Sequence, residues 1–188
     1  MKRPRYLDLE KESKKGMKLE ERAAVAWKNY LQFNRSIIVD LFQGQLKNTL
    51  TCLECRYKSH VFESFMYLSL PIPKHSKRGP GDGEDVTIND CIKDYIRKEV
   101  LEGDERWKCP RCKRKTKSTK KISLWKLPNI LVINLKRFEF SIYCQRKIRT
   151  FIDFPLRNLN LLKMVSGKQK ELPCYDIFGA IVCHLMTS

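Results

Sequence analysis

The sequence has no long apolar run. None of its 188 residues belongs to a stretch of about 18 consecutive apolar residues, so no membrane-spanning helix is expected. The opening stretch MKRPRYLDLEKESKKGMK is basic and polar, without the apolar core of a secretory signal. We therefore expect an intracellular protein, located in the cytoplasm, the nucleus or both.

Acidic residues are few relative to basic ones. The chain has 21 Asp and Glu residues against 38 Lys and Arg residues, a formal net charge of +17. This excess is consistent with an anionic partner, either nucleic acid, an acidic protein face or a membrane surface, and charge alone does not choose among them. A hydrophobic content of 42% is typical of a globular chain, and the length suffices for one domain with a core. We predict a basic tail or linker over residues 1–17 and one domain over residues 18–188.

Four of the eight cysteines form two spaced pairs. Cys52 and Cys55 lie in TCLECR, Cys109 and Cys112 lie in KCPRCK, and residues 56–108 separate the pairs. Each Cys-x-x-Cys turn offers two sulfurs, and two such turns complete a tetrahedral zinc shell. Four thiolates leave no open position for water, so the predicted zinc is structural. We expect each pair at the tip of a hairpin, with no other evident tie between the two tips.

Disulfides or a redox couple are the alternatives for these pairs. A reducing cytosol disfavours structural disulfides, and a thioredoxin-like site needs one pair that opens a helix. Both pairs here follow strand-like runs or polar turns. The other cysteines, Cys91, Cys144, Cys174 and Cys183, share no ligand spacing and are interpreted as buried or idle thiols.

Hydrophobic periodicity predicts two helices. Apolar residues from Leu19 onward recur at helical spacing and predict an amphipathic helix ending near Asn34. Thr87 is predicted to cap a second helix, with Asp90 three positions later and an apolar stripe that includes Cys91.

Strands are predicted in several apolar runs. A strand is expected from about Gln45 to Thr51, after a bend at Gly44, and VFESFMYLSLPIP predicts another, with Met66, Leu68, Leu70 and Ile72 on one face. Strands are also predicted in ISLWKL, over a short part of IRTFIDFPLRNLNL and, as the last strand, in CYDIFGAIVCH. NILVINLKRF is apolar on both faces, which is typical of a strand in the middle of a sheet covered on both sides. KHSKRGPGDGEDV, without apolar content, predicts a mobile surface loop.

Five motifs occur in the order DLFQGQLKNTLTCLEC, FESFMYLSLPIP, KCPRC, LPNILVINLKRF and FIDFPLRNLNL, and they span about Ser36 to Leu161. This order resembles the ubiquitin-specific cysteine protease family, the deubiquitinases with a fingers, palm and thumb architecture. The resemblance implies an α+β fold, a partial papain-like hand whose fingers and palm are mixed or antiparallel β-sheet with a few helices. It implies that Cys52, Cys55, Cys109 and Cys112 hold the zinc at the fingertip. It also implies that Leu127, Pro128, Leu131, Leu135, Lys136, Arg137 and Phe138 form the palm strand signature, followed by the turn of Phe154, Pro155 and Leu156.

The sequence departs from the family pattern at the catalytic boxes. The family places its nucleophile in a Gly-Asn-x-Cys box and its histidine in a Gly-His-Tyr box, and neither occurs here. Cys91 follows Asn89 and Asp90, but its place on the apolar stripe of a helix predicts a core residue. None of His60, His75 and His184 stands in a matching box. We therefore predict no catalytic residues, an inactive chain on its own, and an apolar face left exposed where the thumb helices would lie.

Three functions are weighed. The first is an incomplete protease domain that retains the ubiquitin-gripping part of an enzyme cleaving after the C-terminal glycine of ubiquitin. The second is a non-catalytic ubiquitin-binding module, and the third is a zinc-ribbon nucleic-acid binder, suggested by KRKTKSTKK beside the second cysteine pair. The basic residues are not interleaved with aromatics, which disfavours nucleic acid. The predicted partner is ubiquitin or a ubiquitinated protein, bound by a monomer.

Overall fold

The structure is a computed structural model that describes residues 16–73, 86–140, 145–169 and 174–182. These ranges contain three α-helices, α1 (Leu19–Asn34), α2 (Ile37–Phe42) and α3 (Ile88–Tyr95). Their strands are β1 (Gly44–Cys52), β2 (Lys58–Phe65), β3 (Tyr67–Leu70), β4 (Val86–Thr87), β5 (Glu99–Leu101), β6 (Trp107–Lys108), β7 (Lys115–Thr116), β8 (Ser118–Lys126), β9 (Val132–Leu135), β10 (Phe138–Phe140), β11 (Gln145–Lys147), β12 (Ile152–Asp153), β13 (Leu159–Asn160) and β14 (Cys174–Tyr175). The α+β class predicted from the sequence is confirmed.

Helix α1 begins where the sequence predicts. The Glu21 carboxylate accepts a hydrogen bond of 3.1 Å from the backbone N–H of Lys18, which satisfies a free donor at the helix start. Two contacts fix the helix to the sheet: Arg22 donates to the carbonyl of His60 at 2.8 Å, and Gln45 donates to the carbonyl of Ala23 at 3.0 Å. The helix therefore lies against β1 and β2.

Helix α3 carries the predicted capping box. The Asp90 N–H donates to the Thr87 hydroxyl at 3.3 Å, and the Thr87 N–H donates to the Asp90 carboxylate at 3.2 Å. Ile88, Cys91 and Ile92 are buried, so the predicted apolar stripe faces the core. The interpretation of Cys91 as a core residue is confirmed.

Helix α2 was not predicted from the sequence. Its N-cap is Ser36, whose hydroxyl accepts a hydrogen bond of 3.3 Å from the Val39 N–H. Six residues make fewer than two helical turns, too few for apolar periodicity to reveal a helix.

A four-stranded antiparallel sheet dominates the described residues. Its strand order is β2-β1-β8-β5, and β1 pairs along its whole length with both neighbours. Gly44 begins β1 rather than forming the expected bend. A Cβ atom at Gly44 would lie 2.4 Å from the Phe65 ring, so the absent side chain permits the close approach of β1 and β2.

The hydrophobic core includes the ends of β1, β2 and β8 and combines residues from many of the elements. Its buried members are Leu46, Phe65, Leu68, Leu70, Ile72, Val86, Ile88, Cys91, Ile92, Leu124, Leu127, Ile152, Leu159 and Leu161. The single strand predicted in VFESFMYLSLPIP is divided at Met66 into β2 and β3. Leu68, Leu70 and Ile72, predicted to share a face with Met66, are buried, whereas Met66 is exposed. None of the helices in the described ranges is long and apolar enough to cross a membrane.

The prediction of a central strand in NILVINLKRF was wrong. Within the described residues β9 pairs only with β3, in a two-stranded parallel sheet, and Val132 is 41% exposed. Residues 136–137 separate β9 from β10, which forms its own pair with β11. Apolar residues on both faces of a strand indicate that both faces can be buried. They do not show whether a neighbouring strand pairs with each edge.

The prediction of a last strand in CYDIFGAIVCH was wrong beyond its first residues. Only Cys174–Tyr175 form a strand, β14, which pairs with β13. Residues 176–182 have no strand, and Phe178 and Ile181 are 85% and 96% exposed. The expectation of an apolar face exposed where the thumb helices would lie stays a prediction. Residues 1–15, most of the predicted loop (74–85), Cys144, Cys183 and His184 lie outside the described residues.

Leu124 provides a test of the core. Leu124→Ala should lower the free energy of unfolding by about 3 kcal/mol, because the side chain is fully buried on the strand next to β1. Urea denaturation followed by tryptophan fluorescence measures this loss. Leu162→Ala is the matched control, since Leu162 is 56% exposed and its change should stay within about 0.5 kcal/mol. Equal losses in the two variants would contradict the placement of the core.

Candidate metal centre

The first cysteine pair lies in the turn that joins β1 to β2. The Cys52 N–H donates to the Tyr57 carbonyl at 2.9 Å, and the Arg56 N–H donates to the Cys52 carbonyl at 3.1 Å. Arg56 has a φ of 60°, a left-handed conformation that closes the turn directly after Cys55. The turn therefore places both sulfurs of the pair at one end of the sheet.

The second cysteine pair repeats this geometry between β6 and β7. The Cys109 N–H donates to the Arg114 carbonyl at 3.0 Å, and the Lys113 N–H donates to the Cys109 carbonyl at 2.8 Å. Lys113 has a φ of 59° and stands directly after Cys112, as Arg56 stands after Cys55. Both pairs thus occupy hairpin tips, as the sequence predicts.

The two turns bring their four sulfurs together. All four Sγ atoms lie within 4.8 Å of one another, with 3.6 Å between Cys55 and Cys109 and 4.0 Å between Cys52 and Cys112. Four sulfurs bound at about 2.3 Å to one tetrahedral zinc ion would lie about 3.8 Å apart. These thiols are free, and a disulfide bond would bring two sulfurs to about 2.05 Å. The spacing suits a shared metal ion rather than disulfides.

The environment of the sulfurs favours loss of a proton from Cys52 first. The N–H of Cys55 and then the hydroxyl of Thr116, 3.3 Å from the sulfur, lower the pKa of Cys52 to about 6. The neighbouring Cys55 thiol is the largest influence that raises the pKa of Cys112, to about 12. A divalent cation bound between the sulfurs would compensate the thiolate charge, and its binding would release the remaining thiol protons.

Three further contacts join the two turns. The Leu53 N–H donates to the Lys117 carbonyl at 3.0 Å, and Arg114 forms an ion pair of 2.7 Å with Glu54. The rings of Tyr57 and Trp107 stack with centroids 6.4 Å apart. The expectation that the tips lack another tie was therefore wrong, since the sequence does not show which flanking side chains meet.

Thr116 and these two aromatic residues were missed by the sequence analysis. Tyr57 stands two positions after Cys55, and Trp107 stands two positions before Cys109. The presence of an aromatic residue two positions outside each cysteine pair could have predicted that these two rings meet. Thr116 gave no comparable signal, because its role depends on the pairing of β7 with β6.

The described residues hold no thiol–imidazole hydrogen bond. Cys91 is buried on α3, where burial is the main cause that raises the pKa of its thiol. The His60 ring lies instead on the four-stranded sheet, with Nδ1 3.1 Å from the Thr49 hydroxyl. His75 and His184 lie outside the described residues. The described part of the chain therefore shows no assembled site for thiol catalysis.

The palm signature residues contribute to structure around β9. Leu127 is buried, the carbonyl of Pro128 accepts a hydrogen bond of 2.5 Å from the Tyr175 hydroxyl, and the Lys136 N–H donates to the Leu70 carbonyl at 2.9 Å. Arg137 donates to the carbonyls of Ile148 and Thr150 at 3.3 and 2.8 Å. In the following turn Phe154 and Leu156 are exposed. The signature thus ties β9 to β3 and to the segment after β11.

The sequence of the chain matches a known protein family. The family model for ubiquitin carboxyl-terminal hydrolase matches residues 7–185, and the chain belongs to this family. The resemblance to ubiquitin-specific proteases is confirmed.

The similar proteins include numbered members of the family. The chain is 45% identical over 147 residues to ubiquitin carboxyl-terminal hydrolase 2 of Gallus gallus, an alignment that covers 78% of this chain and 40% of that protein. It is 42% identical over 160 residues to ubiquitin carboxyl-terminal hydrolase 21 of Homo sapiens, covering 85% of this chain and 27% of that protein. The chain therefore spans less than half of the length of these relatives.

A solved structure shares the fold. A chain of the SAGA Ubp8/Sgf11/Sus1/Sgf73 DUB module bound to ubiquitin aldehyde superposes with a TM-score of 0.58 at 27% identity. The alignment covers 80% of this chain and 32% of that chain. The fold of this chain is thus similar to that of part of a chain in this DUB module.

Lys113 tests the geometry of the second turn. Lys113→Gly should raise the free energy of unfolding by about 0.5 kcal/mol, because glycine adopts a left-handed conformation without the strain of a side chain. Lys115→Gly is the matched control. Lys115 lies in β7, where glycine should cost roughly 0.5–1 kcal/mol. Urea denaturation measures the free energy of unfolding of both variants. An equal loss of stability in the two variants would contradict the left-handed conformation of Lys113.

Proposed function

We propose that this chain provides the ubiquitin-gripping part of a ubiquitin carboxyl-terminal hydrolase and does not hydrolyse ubiquitin conjugates by itself. The family match and the structural neighbour bound to ubiquitin aldehyde support the choice of ubiquitin as the partner. The observation that carries the proposal is the combination of a sheet ending in a four-cysteine tip with the lack of a thiol–imidazole pair in the described residues.

The chemistry of the family explains why such a chain would bind without cutting. Hydrolysis after the C-terminal glycine of ubiquitin by a thiol enzyme needs a thiolate, an imidazole within hydrogen-bond reach and a group that orients the ring. Cys91 is inaccessible in the core, and the His60 ring lies beside Thr49. The described elements are thus suited to hold and orient ubiquitin, with the sheet as a rigid support.

We propose that Cys52, Cys55, Cys109 and Cys112 hold a structural zinc ion. Cys52 and Cys109 are fully buried and Cys55 and Cys112 are partly buried, which leaves little access for water. Zinc bound there supplies a cross-link between the two hairpin tips, and four sulfur ligands leave no position for a reacting water. The protein holds the sulfurs at this spacing, and the Thr116 hydroxyl can donate a hydrogen bond to the Cys52 thiolate.

We propose that the protein works in the cytoplasm or nucleus, as a monomer. Reduced thiols are required for the metal centre, and these compartments keep thiols reduced. One chain supplies all four sulfurs, so the centre needs no second copy.

Removal of one ligand tests the zinc proposal. Cys109→Ser should reduce bound zinc from one equivalent to near zero and lower stability by several kcal/mol, because metal binding and folding of such sites are coupled. Cys174→Ser is the control, since Cys174 is an exposed thiol away from the cluster and should leave metal content unchanged. Elemental analysis of dialysed protein gives the zinc content. Full zinc in Cys109→Ser would overturn the ligand assignment.

Ubiquitin tests the functional proposal. Titration calorimetry should show saturable binding of ubiquitin to the zinc-loaded chain, and a ubiquitin probe carrying a C-terminal vinyl electrophile should leave the chain unlabelled. Cytochrome c, a basic protein without the fold, is the control for binding through charge alone. Covalent labelling would contradict the proposed lack of hydrolysis, and no binding above the control would contradict the gripping role.

A further inference from the structure

Basic side chains converge on one face of the four-stranded sheet. Thr49 of β1 lies directly opposite His60 of β2 and Lys121 of β8, and residues directly opposite each other share a face. Lys47 and Thr51, two positions from Thr49, lie on the same face of the sheet. Lys58 lies directly opposite Thr51 and is therefore on this face as well. Arg22 of α1 reaches this face by donating to the His60 carbonyl. We call Arg22, Lys47, Lys58, His60 and Lys121 the basic face.

The lysine and arginine charges of the basic face act on one another and disfavour a proton on His60. Burial and then the charge of Lys121 lower the pKa of Lys47, while the charge of Glu20 has a smaller, opposite effect. Burial and then Lys47, Arg22 and Lys58 lower the pKa of His60. Such mutual repulsion is unfavourable in the free chain and is relieved by an anion that binds there.

Few carboxylates compensate this charge. In the described ranges Lys93, Arg97, Arg114 and Lys117 each form an ion pair with an acidic residue. Over the same ranges no carboxylate forms an ion pair with Lys47, Lys58 or Lys121, and Glu20 pairs with Lys168 at 3.8 Å. In these ranges the basic face is thus a concentration of positive charge in which Glu20 compensates Lys47 only in part and Lys47, Lys58 and Lys121 have no ion-pair partner.

We propose that the basic face docks an acidic polypeptide segment in extended conformation. Lys47, Lys58 and Lys121 lie on β1, β2 and β8, and an extended acidic segment presents the carboxylates of alternate residues on one side, so that several can reach this set at once. This docking adds to ubiquitin binding and does not depend on it. It also gives a role to part of the net charge of +17.

The aromatic rings of this face do not favour single-stranded nucleic acid. Phe62 and Trp125 pack edge to face with centroids 5.1 Å apart, and the Lys47 ammonium lies 4.7 Å from the Trp125 ring centroid. Base stacking needs an open ring surface, and these rings are engaged within the protein.

Fluorescence anisotropy with a fluorescein-labelled peptide of alternating Glu and Thr residues tests the proposal. Lys58→Gln/Lys121→Gln should weaken binding of this peptide roughly fivefold, since two exposed charge contacts are lost. Lys98→Gln/Lys163→Gln is the control with the same change in net charge, because both lysines are exposed outside the four-stranded sheet. The affinity of the unaltered chain should fall as salt rises.

Each outcome of these binding measurements either supports or overturns the docking proposal. Weakening confined to Lys58→Gln/Lys121→Gln supports the basic face as the docking surface. Equal weakening in the control pair would show attraction to net charge and overturn the proposal. Tighter binding of a DNA duplex than of the peptide, lost in the same Lys58→Gln/Lys121→Gln variant, would also overturn it by assigning the face to nucleic acid.

Discussion

The meeting of two cysteine turns at one end of the sheet is the constraint on which the rest of the structure depends. One turn follows β1, and the other precedes β7 and β8, so the contact between the turns also sets the start of the β1–β8 pairing, with Cys52 opposite Ser118. Residues 56–108 are thereby closed into a loop. Closing so long a segment costs conformational entropy, and the sulfur–metal bonds of the proposed zinc site would offset that cost.

The far end of the same sheet is anchored differently. There β1 and β8 enter the hydrophobic core through Leu46 and Leu124, and a register shift between Gln45 and Leu46 accompanies the entry. The sheet thus ends in the four-cysteine cluster on one side and in buried apolar side chains on the other. Between these ends the sheet carries helix α1 against β1 and β2 and the concentrated positive charge described above.

Local chemistry made much of this predictable. The spacing of the cysteines indicates the metal centre, and the capping pattern of Thr87 and Asp90 indicates α3, because each signal is complete within a few residues. Signals that depend on distant partners were misread: the apolar run at Val132 does not show how many strands surround it, and the run at Ile181 does not show that a partner is needed. The contact of Thr116 with Cys52 likewise depends on tertiary structure.

The most direct test of the central claim is X-ray absorption spectroscopy at the zinc edge of the reduced, zinc-loaded chain. We expect one shell of four sulfur atoms at about 2.3 Å, with no nitrogen or oxygen ligand. A shell with two or fewer sulfurs, or a second zinc neighbour, would contradict the account, because the two turns would then not share a single ion.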